Sequence, residues 1–512
     1  MSRLPARLCL PLCALLLAAC AELPQRPVLP PQQAVPAGEG TRLDSLIAPA
    51  EASHPGESGF YLVRTGPVAF AIRARSAQIA ERSLDVQTYI WNDDLTGLYL
   101  AYALLGAADR GVKVRLLVDD MDARGKNYGF AALDAHPNIE VRTFNPLPSR
   151  SGTLALLGDL LSSGKRLNHR MHNKTWIADN RLAIVGGRNL GDEYFGASED
   201  VNFVDLDFAM VGPVVREASA SFDRYWNSRA VYPIAVLNPQ AVTQVMLDNL
   251  RTRADQVAEQ GRTSSFAELL KRDDAVERLL DGDWPLEWSG DFRFVSDDPL
   301  KALKADVRDK SAVLGVLAPL LRSAQHSGTL VSPYFVPGKR GTGLFVEQAR
   351  AGRQVRILTN SLAANDVAAV HGGYERYRKD LLKGGVELWE LKPLPGVKAR
   401  ASMFGSSGAS LHTKALAVDG ERLFVGSYNL DPRSTSLNCE QGVLVTSAVL
   451  GRQFEALFEA QTDGARAWQV TLVDGRLNWT DGTSTFGEDP MTTAGQRFQA
   501  WLARVLPIES QL

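Results

Sequence analysis

Two short runs of the 512-residue chain carry the residue types best suited to chemistry. In the first, His172 and Lys174 flank one residue. Asp179 follows with four residues between, and Gly186-Gly187-Arg188-Asn189 closes the run. In the second, His412, Lys414 and Asp419 keep the same intervals before Gly426-Ser427-Tyr428-Asn429. The offset is 240 residues at each matched position (412 − 172, and equally 414 − 174, 419 − 179 and 429 − 189). An imidazole can attack phosphorus or hand a proton to a leaving oxygen. Lysine ammonium and asparagine carboxamide groups can hold the non-bridging oxygens, where negative charge develops. Two such sets facing each other supply the two histidines of a double displacement: one nucleophile, and one general acid and base. Because the lysines provide the positive charge, the set calls for no metal and no cofactor. One His-x-Lys pair is weak evidence, but two in register, each with its Gly/Ser/Asn tail, define a site.

The surrounding sequence must place these groups. Leu411 to Val418 is apolar at alternate positions, so on a strand His412 and Lys414 would share one face. Arg422 to Gly426 reads as the next strand and delivers Ser427 and Asn429 beside them. Upstream, each half repeats one order of elements. In the first, helical spacing over Val68–Ser83 precedes a strand at Leu84–Trp91. A helix at Gly97–Gly111 and a strand at Val112–Asp119 follow. In the second, a helix at Val313–Gln325 precedes a strand at Thr329–Tyr334, a helix at Gly341–Gly352 and a strand at Val355–Asn360. This alternation predicts an α/β protein with largely buried strands. The halves span residues 58–237 and 291–512. Residues 238–290, helical and charged, read as their connection.

Composition narrows the function. Hydrophobic residues at 45% and charged residues at 22% exclude wholesale disorder. Fifty-six basic against 58 acidic residues give a net charge of −2, which argues against a protein that grips nucleic-acid phosphates. Of four cysteines, Cys9, Cys13 and Cys20 lie at the start and Cys439 stands alone, which leaves no disulfide framework. Arg3 and Arg7 precede the apolar run Leu8–Ala19, too short to span a bilayer comfortably. Its end, Leu17-Ala18-Ala19-Cys20, resembles a bacterial lipobox, so residues 1–20 are expected to be a signal peptide and Cys20 a lipidated N-terminus. Ala21 rather than Asp follows, which points to the cell envelope, facing the periplasm, and to the outer membrane where there are two. Residues 21–57, rich in Pro, Ala, Gly and Glu, read as a semi-rigid spacer. No other run suggests a transmembrane helix.

The doubled motif resembles the phospholipase D superfamily. Other segments are similar to its cardiolipin synthase branch of the C type: Tyr89-Ile90-Trp91-Asn92-Asp93-Asp94, Leu133-Asp134-Ala135-His136-Pro137, Val185 to Phe195, and Asn429-Leu430-Asp431-Pro432-Arg433-Ser434. The similarity covers most of residues 58–512. It implies two pseudo-symmetric halves, each a mixed β-sheet flanked by helices, around one shared active site, and a phosphohistidine intermediate. It makes His172 the nucleophile and His412 the acid and base, with Lys174, Lys414, Asn189 and Asn429 on the phosphate. It implies that Glu440, 28 residues after His412 (440 − 412), orients that histidine. Asp205 aligns with Glu440 across the halves once a small insertion is allowed. Asp179 and Asp419, placed after their strands, are expected to be structural. Gly187 stands opposite Ser427, so a hydroxyl contact to phosphate exists on one side only.

The expected activity is phosphatidyl transfer that makes cardiolipin from phosphatidylglycerol and a second phosphatidyl donor. Its partners are phospholipids and the membrane surface, with no nucleic acid. The alternatives are a phospholipase D-type hydrolase with water as acceptor, a nuclease of the same superfamily, and a lipid-binding protein that keeps the fold. Other residues take plainer readings: His136 structural, His169 on the surface of a basic loop, His371 near a substrate loop, and Tyr89 and Trp91 in core packing. Leu154–Leu161 forms an apolar patch that could dip into lipid, with Lys165, Arg166 and Arg170 meeting head groups.

Overall fold

The computed structural model describes residues 23–123, 127–148, 168–280, 283–303, 311–365, 367–393, 411–506 and 509. Its first sheet contains β1 (Ser58–Val63), β2 (Ser83–Thr88), β3 (Lys113–Asp119), β4 (Ile139–Phe144), β5 (Thr175–Ala178), β6 (Leu182–Gly186), β7 (Asp207–Val211), β8 (Val231–Pro233) and β9 (Glu287–Ser289). The second contains β10 (Phe292–Ser296), β11 (Ser327–Val331), β12 (Gln354–Asn360), β13 (Glu387–Leu391), β14 (Ala415–Val418), β15 (Arg422–Gly426), β16 (Gln441–Thr446), β17 (Ala467–Val473), β18 (Arg476–Thr480) and β19 (Thr485–Phe486). The first runs β8-β4-β3-β2-β5-β6-β7-β1-β9 and the second β10-β16-β15-β14-β11-β12-β13-β17-β18-β19. Read from opposite ends, the run from β4 to β1 and the run from β13 to β10 are one topology used twice. β2, β3 and β4 are parallel, as are β11, β12 and β13, while β5 and β14 turn antiparallel against them. Both sheets are therefore mixed.

The strands are buried because both faces are covered. All six residues of β2 and all five of β6 are buried, including Asp85, which Arg115 of β3 neutralises at 2.7 Å. The helix Gly66–Ile79 and the helix Leu95–Asp109 pack on one face of the first sheet. Asp94 caps the second of these by accepting from Gly97 N at 3.0 Å. Gly97 cannot carry a side chain, since a Cβ would lie 1.9 Å from the Asn92 carbonyl oxygen. The other faces of the two sheets meet each other. One apolar cluster draws Met171, Ile177, Val185, Phe208 and the Phe222 ring from the first half, and Leu358, Leu411, Val425, Cys439 and Val443 from the second. The halves thus share one hydrophobic core, and the ends of β5, β6, β14 and β15 come together at its edge.

Residues 238–290 run between the halves and carry the helices Gln244–Gly261 and Ser265–Arg272, and they also pack on the first half. The helix Gln244–Gly261 ties its Arg251 to Asp109 and Arg253 to Asp93, each at 2.7 Å, and β9 adds an edge to the first sheet beside β1. The Pro-rich stretch is docked rather than free. Arg26 Nε donates to Val231 O at 2.7 Å. Gln32 exchanges hydrogen bonds with Asn227 and Trp226, and Ala34 N donates to Asp223 at 2.8 Å. An extended proline-rich backbone forms no internal hydrogen bonds, so its free groups were available to polar side chains of the helix Pro213–Trp226. A helix follows at Arg42–Ser53 and buries Leu43. Residues 1–20 with Cys20, and the apolar patch 154–161 with Lys165 and Arg166, lie outside the described residues. No helix among the described residues is long and apolar enough to cross a membrane.

Candidate active site

The two motif strands are shorter than their sequence pattern. β5 begins at Thr175 and β14 at Ala415, so each His-x-Lys segment sits just before its strand. There the chain crosses to the other half. His172 N donates to Cys439 O at 2.9 Å, Cys439 N donates to Arg170 O at 2.8 Å, and His412 N donates to Val204 O at 2.8 Å. Short parallel bridges join Met171 to Cys439 and Val204 to Leu411. Each histidine is therefore seated by the backbone that carries the other half's acidic residue.

This crossing changes the expected pairing. Glu440 orients His172, not His412: Oε2 lies 3.0 Å from His172 Nδ1, with Ser427 O also at 3.0 Å. Asp205 takes His412, with Oδ2 2.6 Å from Nδ1. Counting from a histidine along its own half finds the right acid and assigns it to the wrong ring, because the pairing forms between the halves. Both neighbours of each Nδ1 on His172, and the Asp205 carboxylate on His412, can only accept a proton. Nδ1 is thus the protonated nitrogen of both neutral rings, and Nε2 keeps its lone pair.

Lys174 Nζ donates to His172 O at 2.6 Å, and Lys414 Nζ donates to His412 O. Both lysines, Asp205 and Glu440 are buried. Burial pushes the His412 imidazolium well below the usual histidine range, and the charges of Lys414, Lys174 and His172 add to it. Burial likewise lowers His172, with Lys174 and Lys414 pressing the same way and Glu440 opposing. Burial also lowers Lys174 strongly, and Lys414 reinforces that. Burial would raise Glu440, but the His172 ring, its hydrogen bond and Lys174 outweigh that and hold the carboxyl below its usual range. The charges of residues 172–174 and 412–414 act on one another, so the two motifs form one buried, cation-rich cluster. An anion with oxygens for both lysines would complete it.

The remaining expected residues divide. Asn429 is buried and its Oδ1 makes no hydrogen bond, so only its Nδ2 could donate to a phosphate oxygen. Asn189 is engaged on both sides: Nδ2 donates to the Tyr194 hydroxyl at 2.8 Å and Oδ1 accepts from Ile90 N at 3.2 Å. Ser427 does not face a phosphate. It is fully buried and its hydroxyl donates to Glu440 Oε2. In the first half that space is taken: a Cβ at Gly187 would lie 2.2 Å from Asp205 Oδ1, which is why glycine stands there. Asp179 accepts from the backbone N–H groups of Glu81, Arg82 and Ser83, and Asp419 from those of Gln325, His326 and Ser327. Both have positive φ, 49° and 57°, and join the turn after the motif strand to the start of β2 or β11.

Several plainer readings need correction. Tyr89 packs its ring against His172 at 5.2 Å and lies under Lys174 Nζ at 5.4 Å, so it lines the site rather than the core; Trp91 does pack in the core. Arg170 does not meet head groups: it is wholly buried and pairs with Asp119 at 3.2 Å. His169 is buried, its Nδ1 2.8 Å from Leu437 O, so it joins the halves. His371 pairs with Asp489 at 3.3 Å, away from the motif residues. With Glu390 it forms the one three-residue group with metal-ligand spacing among the described residues, but Arg378 already bridges Glu390 and Asp489 at 2.9 Å each. Tyr194 and Phe203 were missed. Their rings stand 5.3 and 5.5 Å from His412. Tyr194 follows Asn189 by five residues, and that proximity to the motif was the available signal. Phe203 carries none.

The sequence profile described as "Cardiolipin synthase, PLD-like domain" matches residues 75–226 and 317–462, one match on each half and each enclosing one motif. The chain belongs to this cardiolipin synthase, phospholipase D-like family. The resemblance expected from the motifs is borne out. A cardiolipin synthase C of Escherichia coli is 41% identical over 480 residues, covering 91% of this chain and 99% of that protein. An uncharacterized protein of Helicobacter pylori is 32% identical over 439 residues, 86% of each chain. Among solved structures, the phosphatidylserine synthase of Haemophilus influenzae superposes with a TM-score of 0.54 at 13% identity, covering 81% of this chain and 90% of that one. That likeness is one of fold.

Proposed function

We propose that the protein is a phosphatidyltransferase that forms cardiolipin. The observation that carries this is the crossed pair of dyads. Two imidazoles, each held at Nδ1 by a carboxylate from the opposite half, leave both Nε2 atoms for chemistry beside two buried lysines. His172 Nε2 attacks the phosphorus of a phospholipid. The phosphorus–oxygen bond to the head group breaks as the phosphorus–nitrogen bond forms; His412 first takes a proton from solvent onto Nε2 and delivers it to the departing alkoxide. A hydroxyl of phosphatidylglycerol then gives its proton to His412 and attacks phosphorus, and the phosphorus–nitrogen bond breaks. Lys174, Lys414 and Asn429 hold the non-bridging oxygens. Glu440 and Asp205 support the positive charge that each ring acquires. The 41% identity to a protein named cardiolipin synthase C supports this choice of acceptor.

The anchor belongs to the same proposal. A lipidated Cys20 in the cell envelope, facing the periplasm, would hold the enzyme on its substrate surface. Arg26 is already bonded to the body, so six residues, at most about 20 Å of extended chain, would separate the two.

The test incubates labelled phosphatidylglycerol, with and without phosphatidylethanolamine, and follows products by mass spectrometry. Wild type should yield cardiolipin and a phosphatidyl-histidine adduct on His172. His172→Ala should yield neither, and its turnover at the wild-type rate would refute the mechanism. Phosphatidic acid in place of cardiolipin would favour the hydrolase.

A further inference from the structure

The C-terminal helix Ala494–Val505 presents an apolar face that is exposed among the described residues. Its inner face is in backbone contact with the helix Ala368–Lys383: Ala500 and Ala503 are buried, and a Cβ on Gly372 would lie 2.2 Å from Ala500 O. The outer face carries Phe498, Trp501, Leu502 and Val505, the i, i+3, i+4, i+7 positions of one helical stripe, with exposures of 59%, 47%, 39% and 54%. Met491 and Leu506 extend it at 70% and 41%. Six of the thirteen large apolar side chains exposed among the described residues therefore lie within 491–506, a concentration that scattered surface residues do not produce. The stretch 491–506 holds Arg497 and Arg504 and no acidic residue. Their nearest carboxylates, Glu488 and Glu375, stand off at 3.8 and 3.9 Å.

We infer that this helix docks the enzyme on an anionic lipid bilayer, lying in the interface with Phe498 and Trp501 inserted and the arginines at head-group level. Aromatic and Leu side chains on one face with arginine beside them fit a lipid interface. A second copy of the same face would oppose arginine to arginine, so charge complementarity favours the bilayer. The position suits the chemistry. The partner helix Ala368–Lys383 begins beyond the end of β12, where Asn360 Nδ2 donates to Leu411 O next to His412. Gly372 meets Ala500, and Arg376 Nη2 donates to Ala503 O, so the two helices run in the same direction and start at the sheet end that holds the site. The inference rests on the phosphatidyltransferase reading for its purpose, and its test is independent of turnover.

The full chain is mixed with vesicles of phosphatidylglycerol and phosphatidylcholine whose acyl chains are brominated, and tryptophan fluorescence is recorded. Trp501 should be quenched in wild type, and Trp501→Phe should lose that quenched component. This readout is specific to one side chain, so a lipid anchor elsewhere does not produce it. Phe498→Glu with Trp501→Glu should weaken docking on the order of a hundredfold, from two aromatic side chains no longer buried. It should leave turnover of a short-chain, monomeric phospholipid unchanged. Loss of that turnover in wild type as well would count against the phosphatidyltransferase reading and not against docking. Equal quenching in wild type and Trp501→Phe would overturn the inference. So would a lipid-free change in sedimentation of the double variant without any change in vesicle binding, which would assign the face to a second copy. If the double variant fails to fold, Trp501→Phe carries the test alone.

Discussion

The crossed pairing of carboxylates and histidines makes a prediction that the motif spacing does not. Glu440→Gln keeps the shape of the side chain and removes its charge 3.0 Å from His172 Nδ1. A full imidazolium at that distance would interact with the carboxylate by about 5 kcal/mol at an effective dielectric constant of about 20. In the transition state for attack on phosphorus the ring carries only part of that charge. A loss of about 2–3 kcal/mol follows, in line with the worth of a hydrogen bond to a charged group. That is roughly a 30- to 150-fold slower formation of the phosphoenzyme. The assay is single-turnover trapping of the His172 adduct. Two substrates separate the dyads: an ordinary phospholipid, and a phosphatidyl ester of a phenol acidic enough to leave unprotonated. With the activated ester, Asp205→Asn should recover, because its defect runs through the acid His412. Glu440→Gln should not recover, because its defect lies in the nucleophile. Combining Glu440→Gln with His172→Ala should cost no more than His172→Ala alone. Rescue of Glu440→Gln by the activated ester, with Asp205→Asn left slow, would return each acid to its own half and refute the crossing.

Gly187→Ala should displace Asp205, whose Oδ1 would lie 2.2 Å from the new Cβ. Overpacking at this buried point should cost about 1–3 kcal/mol in urea unfolding and slow the His412-dependent step, and wild-type stability and rate would count against it. Asp419→Ala should hand three exposed or part-buried backbone N–H groups to water and lower stability by about 0.5–1.5 kcal/mol with kcat unchanged, as thermal unfolding and steady-state assays can show. His172 and His412 both resist protonation in the native state, while the unfolded chain titrates near pH 6.5. The folded values are depressed, so stability is fully present above about pH 6.5 and is lost as pH falls through that value toward the folded ones. Urea unfolding between pH 7.5 and pH 5 should show a steeper loss in wild type than in His412→Gln, and equal slopes would contradict the burial of these rings. Arg170→Ala should leave the buried Asp119 without its cation and held only by the N–H groups of Met121 and Met171, at a cost of about 3 kcal/mol. A variant as stable as wild type would contradict that pairing.

Much of this protein was legible along the chain. Local periodicity located the helices and strands of each half to within a few residues, because a buried parallel strand and an amphipathic helix each leave a pattern that needs no partner to be read. The repeat at 240 residues showed that two halves were built alike, and the residue types His, Lys and Asn named the chemistry. Asp179 and Asp419 were readable as structural from their place after a strand. What the linear order could not hold was direction between segments far apart. Glu440 belongs to His172 because Cys439 pairs with Met171 across the halves. Ser427 turns to Glu440 rather than to a ligand because the pairing of β15 with β16 sets that carboxylate beside its hydroxyl. Phe203, set in an irregular segment, reaches His412 only once the halves are packed. The proline-rich stretch looked like a spacer because composition reports what a segment lacks, not the polar side chains waiting for its backbone. Spacing along the chain determines which groups a half can offer. The apolar surface shared by the two sheets decides which of them meet, since burying it sets the relative position of the halves and every contact across it.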